Sequence, residues 1–170
     1  TDLPKAMFEK KVHKLKKKTQ GELIIKEYPT ASAHSGHFKA LLNELSLKKS
    51  FKPDIIFIDY LNICASSRYR ANSNVNSYSY IKAIAEELRG LAVEANLPIV
   101  SATQTTRSGY GSSDVDLTDT SESFGLPATA DLMFALISTE ELEGLNQIMV
   151  KQLKNRYNDP TIYKRFVIGI

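Results

Sequence analysis

Residues 54–59, Asp-Ile-Ile-Phe-Ile-Asp, set the tightest limit on what this chain can fold into. Pro53 closes whatever helix comes before, four apolar residues follow without a break, and Asp59 ends the run. An apolar run with no polar alternation suits a strand buried on both faces of a parallel sheet. Asp59 then falls at the strand's carboxyl end, where open α/β sheets bind their ligands. A carboxylate in that place suits Mg²⁺, which takes hard oxygen ligands and often keeps waters between itself and the protein. Taken alone, the same residues also fit an aspartate that only caps the next turn.

The rest of the chain supplies alternating elements. Residues 3–18 read as a helix with Val12 and Leu15 facing inward and the lysines of 9–18 forming a solvated face; Leu23-Ile24-Ile25 reads as a short strand. Phe38, Leu41, Leu42 and Leu45 recur at helical spacing. The helix with the clearest stripe is 78–96, where Ile81, Ile84, Ala85, Leu88, Leu91, Ala92 and Ala95 share a face and Lys82, Glu86, Glu87 and Arg89 lie elsewhere. Residues 98–103 form a second buried strand that leads to Gln104. Further strands are expected at 131–137, 147–153 and 163–170, with a short helix or turn at 121–130 and a turn at Asn158-Asp159-Pro160. Strands alternating with helices predict an α/β fold with a mostly parallel sheet, its closing strand pair antiparallel. Two polar segments, 66–77 and 107–119, leave the ends of the two central strands and so fall on the ligand side.

Composition narrows the functional classes. At 170 residues, one domain with its own core is expected. A single cysteine, Cys64, excludes a disulfide framework and fits a reducing, cytoplasmic setting. Three histidines and that cysteine do not make a structural zinc set, and no Gly-x-Ser-x-Gly nucleophile elbow occurs. The apolar runs are too short for a membrane span. A net charge of +3 does not by itself mark a nucleic-acid binder. None of the eight glycines is followed by lysine, so the Gly-rich phosphate loop that would accompany Asp59 does not occur in these residues.

Four segments, in order, carry a resemblance. "IIFIDYLNI" (55–63), "IKAIAEELRGLAVEANLPIVSATQTTRS" (81–108), "ATADLMFALI" (128–137) and "KQLKNRY" (151–157) resemble successive motifs of the DnaB-type hexameric replicative helicases. Tyr28-Pro29-Thr30 and "SFGLPATAD" (123–131) look closest to the primase-associated members of T-even-like bacteriophages. The resemblance covers nearly the whole chain. It implies a RecA-like P-loop NTPase core that hydrolyses ATP with Mg²⁺ at subunit interfaces of a homohexamer. Such a motor moves 5′ to 3′ on single-stranded DNA, with primase and a helicase loader as partners, in the host cytoplasm if phage-encoded. Because the phosphate loop and an amino-terminal domain are missing, residues 1–170 are expected to be the carboxy-proximal part of that core and inactive alone.

The resemblance also implies roles. Asp59 holds Mg²⁺ through water. Gln104 senses the γ-phosphate or attacking water; read without the family, it is a solvated strand end. Lys154 and Arg156 form the Lys-x-Arg element, with Arg156 acting on the neighbouring subunit's ATP; otherwise it is a surface arginine. Arg68, Tyr69 and Arg70 in one loop, and Arg107, Ser121 and Glu122 in the other, are the expected DNA contacts. Ser121 stands where bacterial members tend to carry arginine. Tyr80 and Phe124 are expected to pack in the core. A RecA-type recombinase and a non-hydrolysing DNA- or partner-binding scaffold are the competing readings.

Overall fold

The computed structural model describes residues 4–70, 74–105, 116–117 and 125–170. Its elements are α1 (Lys5–Lys18), α2 (Ser35–Lys49), β1 (Ile56–Ile58), a 3-10 turn (Leu61–Ile63), α3 (Ser77–Ala95), β2 (Ile99–Ser101), α4 (Gly125–Thr129), β3 (Leu132–Ile137), α5 (Glu140–Gly144), β4 (Gln147–Asn155) and β5 (Arg165–Gly169). β1 and β2 pair in parallel, with Ile58 opposite Ser101, and α3 makes the crossover between them. β3, β4 and β5 form a separate antiparallel sheet in that order. The expected antiparallel ending therefore extends one strand further back. Residues 138–146 explain it, since a parallel crossover needs about a dozen residues or more and this connection is shorter.

α3 organises the core. Asn76 caps its start by accepting from the Ser79 N–H at 2.8 Å, and Asn96 ends it in the left-handed conformation. Ile81, Ile84, Ala85 and Leu88 pack with Leu61, Cys64 and Leu126, and Phe38, Ile58, Tyr80 and Met133 close around them. A smaller cluster joins Ala135 and Ile137 of β3 to Met149 and Leu153 of β4. The segment before α2 is sewn to the segment after β1: the Ala31 N–H donates to the Ile63 carbonyl and the Ala65 N–H to the Ala33 carbonyl.

Several expectations are corrected. The run at 54–58 is not buried on both faces, for Ile58 packs on the core while Phe57 is 68% exposed. With only β2 beside it among the described residues, the second face of β1 has nothing to cover it. Residues 23–25 form no strand; Leu23 and Ile25 are exposed and no described strand pairs with them. α1 forms where periodicity places it, yet none of its residues is buried and Val12 and Leu15 both face out. Helical spacing defines an apolar face without supplying anything to cover it. α5 is an addition to the expected elements. It is a single turn, capped by the Thr139 hydroxyl accepting from the Leu142 N–H.

Candidate functional site

The parallel pair brings the two strand-end residues to one edge. Asp59 follows β1 directly and is exposed, and its peptide bond to Tyr60 is cis. Gln104, three residues past β2, is exposed too, and its Nε2 donates to the Tyr60 hydroxyl at 3.2 Å. The two strand ends are cross-linked below them. The Leu61 N–H donates to the Ala102 carbonyl at 3.1 Å, the Thr103 hydroxyl to Asn62 Oδ1 at 2.8 Å, and the Ser101 hydroxyl to the Ile58 carbonyl at 2.8 Å. Asp59 thus sits beside a fixed frame without being bonded into it. The described residues contain no group of three or more His, Cys, Asp or Glu suited to a metal ion. A single exposed carboxylate fits Mg²⁺, which commonly keeps several waters and takes one or two carboxylates together with substrate phosphates. His34 and His37 have a different use: the His34 ring accepts from the Gly36 N–H at 3.0 Å and the His37 ring from the His34 N–H at 3.3 Å, capping α2.

The first polar loop is fastened at its root by Glu87, a residue that charge alone would set apart from the core face. Its carboxylate is buried and accepts from the Ser66 hydroxyl at 2.6 Å, the Ser67 hydroxyl at 2.8 Å, the Ser67 N–H at 2.9 Å and the Ser35 hydroxyl at 3.2 Å. Burial pushes its pKa up, but these donors outweigh burial and hold it below the usual glutamate value. The sequence does hold a signal for this. Position 87 lies three after Ile84 and four before Leu91, on the buried stripe itself, and a Ser-Ser pair precedes Arg68-Tyr69-Arg70.

Beyond that root the loop turns outward. Arg68 is paired with Glu86, both side chains being more than a third exposed. The Tyr69 ring lies 6.5 Å from the Tyr80 ring, and Tyr80 packs on the core as expected, its hydroxyl accepting from the Ser66 N–H. Arg70 is exposed. Arg107, Ser121, Glu122 and Phe124 lie outside the described residues.

Lys154 and Arg156 stand at the carboxyl end of β4, beside the start of β3. The Arg156 backbone N–H donates to the Asp131 carbonyl at 2.9 Å, and its Nε lies 3.2 Å from Asp131 Oδ1. Arg89 of α3 reaches the same oxygen at 2.9 Å and donates to the Thr129 carbonyl at 2.7 Å. Lys154 donates to the Pro127 and Ala128 carbonyls at the end of α4. Burial lowers the Lys154 pKa first and the neighbouring Arg156 charge second. Among the described residues, no hydrogen bond or ion pair joins Arg156 or Lys154 to Asp59 or Gln104. The structure therefore brings together Asp59 with Gln104, and Lys154 with Arg156, as two separate sets.

The chain matches the family model described as DnaB-like helicase C terminal domain over residues 2–164. It is 49% identical to the DnaB-like replicative helicase of Enterobacteria phage T4 over 166 residues, which is 97% of this chain and 35% of that protein. Two solved structures share the fold. One is described as an ATPase domain, with a TM-score of 0.63 at 21% identity, covering 80% of this chain and 47% of the other. The second is a DnaB-like replicative helicase described with its primase interactions, with a TM-score of 0.66 at 20% identity, covering 83% and 34%. The chain spans about a third of the length of the T4 relative.

Proposed function

The chain belongs to the DnaB-like helicase C-terminal domain family, and from that premise we propose that it forms part of the motor of an ATP-dependent replicative DNA helicase that assembles as a homohexamer. The observation that carries this reading is the edge where Asp59 and Gln104 follow paired parallel strands, with Gln104 hydrogen-bonded to Tyr60. Bound MgATP would supply the electrophilic phosphoryl group. Asp59 would hold Mg²⁺ with its carboxylate, and its exposure leaves that group accessible. Gln104 presents an amide that can hydrogen-bond the γ-phosphate or orient the attacking water. Its bond to a strand-end tyrosine links that amide to the parallel pair.

Arg156 completes the site from the next subunit. A planar guanidinium suits charge dispersed over a transferring phosphoryl group, and a finger of this kind contributes about 10³–10⁵ in rate. Among the described residues Arg156 shares no hydrogen bond or ion pair with Asp59 or Gln104, which fits action across an interface. The loop of Arg68, Tyr69 and Arg70 offers charge and a stacking ring to single-stranded DNA, the charge serving phosphates at every sequence. Translocation 5′ to 3′, contacts with primase and a loader, and work in the host cytoplasm complete the proposal. Among the described residues no helix is long and apolar enough to cross a membrane. The family match does not favour the recombinase alternative.

The test uses the protein encoded by the complete reading frame. Arg156→Ala and Asp59→Asn should each abolish DNA-stimulated ATP hydrolysis, with Arg156→Ala still binding nucleotide. Mixed hexamers of the two should regain part of the activity, because interfaces that join an intact Asp59 to an intact Arg156 are restored. Mixed assemblies, verified by mass, that stay as inactive as the parents would refute the shared site.

A further inference from the structure

Among the described carboxylates that gather cations or donors are Glu87 at the loop root, Asp116 beside the buried Lys151, and Asp131 at the start of β3. Asp131 differs from the other two in holding a side chain proposed to act elsewhere. We infer that Asp131 is the positioning residue for Arg156, holding its backbone by a hydrogen bond and its guanidinium by an ion pair near Nε while leaving the Nη1/Nη2 end for an anionic group beyond this chain. The inference rests on the proposed in-trans role of Arg156.

The contacts define the direction of the hold. Asp131 binds Arg156 twice, through its carbonyl to the Arg156 backbone N–H at 2.9 Å and through Oδ1 to Nε at 3.2 Å. One terminal nitrogen, Nη2, reaches the Ala128 carbonyl only at 3.5 Å. The guanidinium has five N–H donors in a rigid plane, so an ion pair centred near Nε leaves the Nη1/Nη2 end of the fork with donors for a further anion. The side chain is 46% exposed, enough for that end to reach a phosphate oxygen. Arg89 braces the same oxygen at 2.9 Å while tied to the Thr129 carbonyl, which limits the rotation of Asp131 itself. Lys154, bound to the Pro127 and Ala128 carbonyls, ties the same strand end to α4. A catalytic group held this way is preorganised, and misplacement by about 1 Å can cost on the order of 10²-fold in rate.

The experiment uses the complete hexameric protein. Asp131→Asn should lower kcat for DNA-stimulated ATP hydrolysis by about 10²-fold with KM for ATP little changed, because the fork loses its anchor and the nucleotide cradle is untouched. Asp131→Glu, which restores the charge on a longer arm, should recover part of the loss and still be measurable should Asp131→Asn fail to assemble. Mixing then separates positioning from a general packing defect. Asp131→Asn subunits should regain activity when mixed with Asp59→Asn subunits and gain nothing when mixed with Arg156→Ala subunits, whose defect lies on the same side. Wild-type kcat in both Asp131 variants, with Arg156→Ala inactive, overturns the inference and leaves the finger standing. Recovery with Arg156→Ala partners overturns it as well. An active Arg156→Ala protein removes the finger and the inference together.

Discussion

Glu87 and Asp131 are both single carboxylates that draw separate segments together, and they do so with opposite kinds of partner. Glu87 is buried, and its strongest donors are uncharged, the hydroxyls of Ser66, Ser67 and Ser35 and the Ser67 N–H. Asp131 is a third exposed, and its side chain binds two guanidinium groups, those of Arg89 and Arg156. A buried carboxylate surrounded by short-range dipoles has no competing ligand and acts as a fastening. A partly exposed carboxylate shared by two cations can yield part of its hold when another anion approaches, because ion pairs near water are individually weak. One node fixes where the first loop begins, and the other keeps a cation poised at a surface.

The largest expected effect breaks the fastening. Glu87→Ala should destabilise the protein by about 3 kcal/mol, since it strands a buried serine hydroxyl and a backbone N–H that had bonded to a charged acceptor. Asp131→Ala should cost under about 1 kcal/mol in the same urea titration, as expected of exposed ion pairs. Equal losses at the two positions would erase the distinction between a fastening and a poised contact. In that event Asp131 belongs with the structural core.

A second difference is in pH. Glu87 has a folded pKa below its ordinary value of 4.5. The sign follows directly: its contribution is fully present above about 4.5 and is lost as pH falls through the depressed folded value, where the folded state must take up the proton it resists. The stability advantage of the wild type over Glu87→Gln should therefore be constant near neutrality and shrink as pH falls below about 4.5. A gap that stays constant down to about pH 3 would mean the hydrogen bonds do not favour the charged form.

These two nodes also show what is legible in the residues. The α3 stripe, the parallel strands around Asp59 and Gln104 and the closing antiparallel pair follow from periodicity, β-branched runs and turn residues, which are local properties. Glu87 reads as solvated when charge is given more weight than its place between Ile84 and Leu91. The three serines that make its burial tolerable come from two segments, so no single window displays them. Asp131 is visible in sequence only as an acidic residue entering a strand; its two arginines lie on α3 and just past β4, far apart along the chain. The faces of α1 and β1 mislead for a related reason, because a pattern announces an apolar surface without naming its cover. Arg107, Ser121 and Glu122, outside the described residues, remain expectations from the family resemblance.

The smallest effect concerns Arg68, which shares a surface pair with Glu86 and so resembles Asp131's partners more than Glu87's. If Arg68 binds DNA, a phosphate must replace the Glu86 carboxylate, and that carboxylate both competes for the cation and repels the strand. Glu86→Gln should then raise the affinity of the proposed nucleotide-loaded hexamer for an unstructured oligonucleotide by a few-fold, consistent with the modest strength of exposed pairs. The salt dependence should steepen at the same time. A cation already neutralised by Glu86 releases less counterion on binding, whereas a freed one adds about 0.7 to the magnitude of the logarithmic slope. Combining Glu86→Gln with Arg68→Ala should remove most of the gain, leaving only the part due to lost repulsion. An unchanged affinity and slope in Glu86→Gln would place Arg68 off the DNA path, a contact that serves the loop alone.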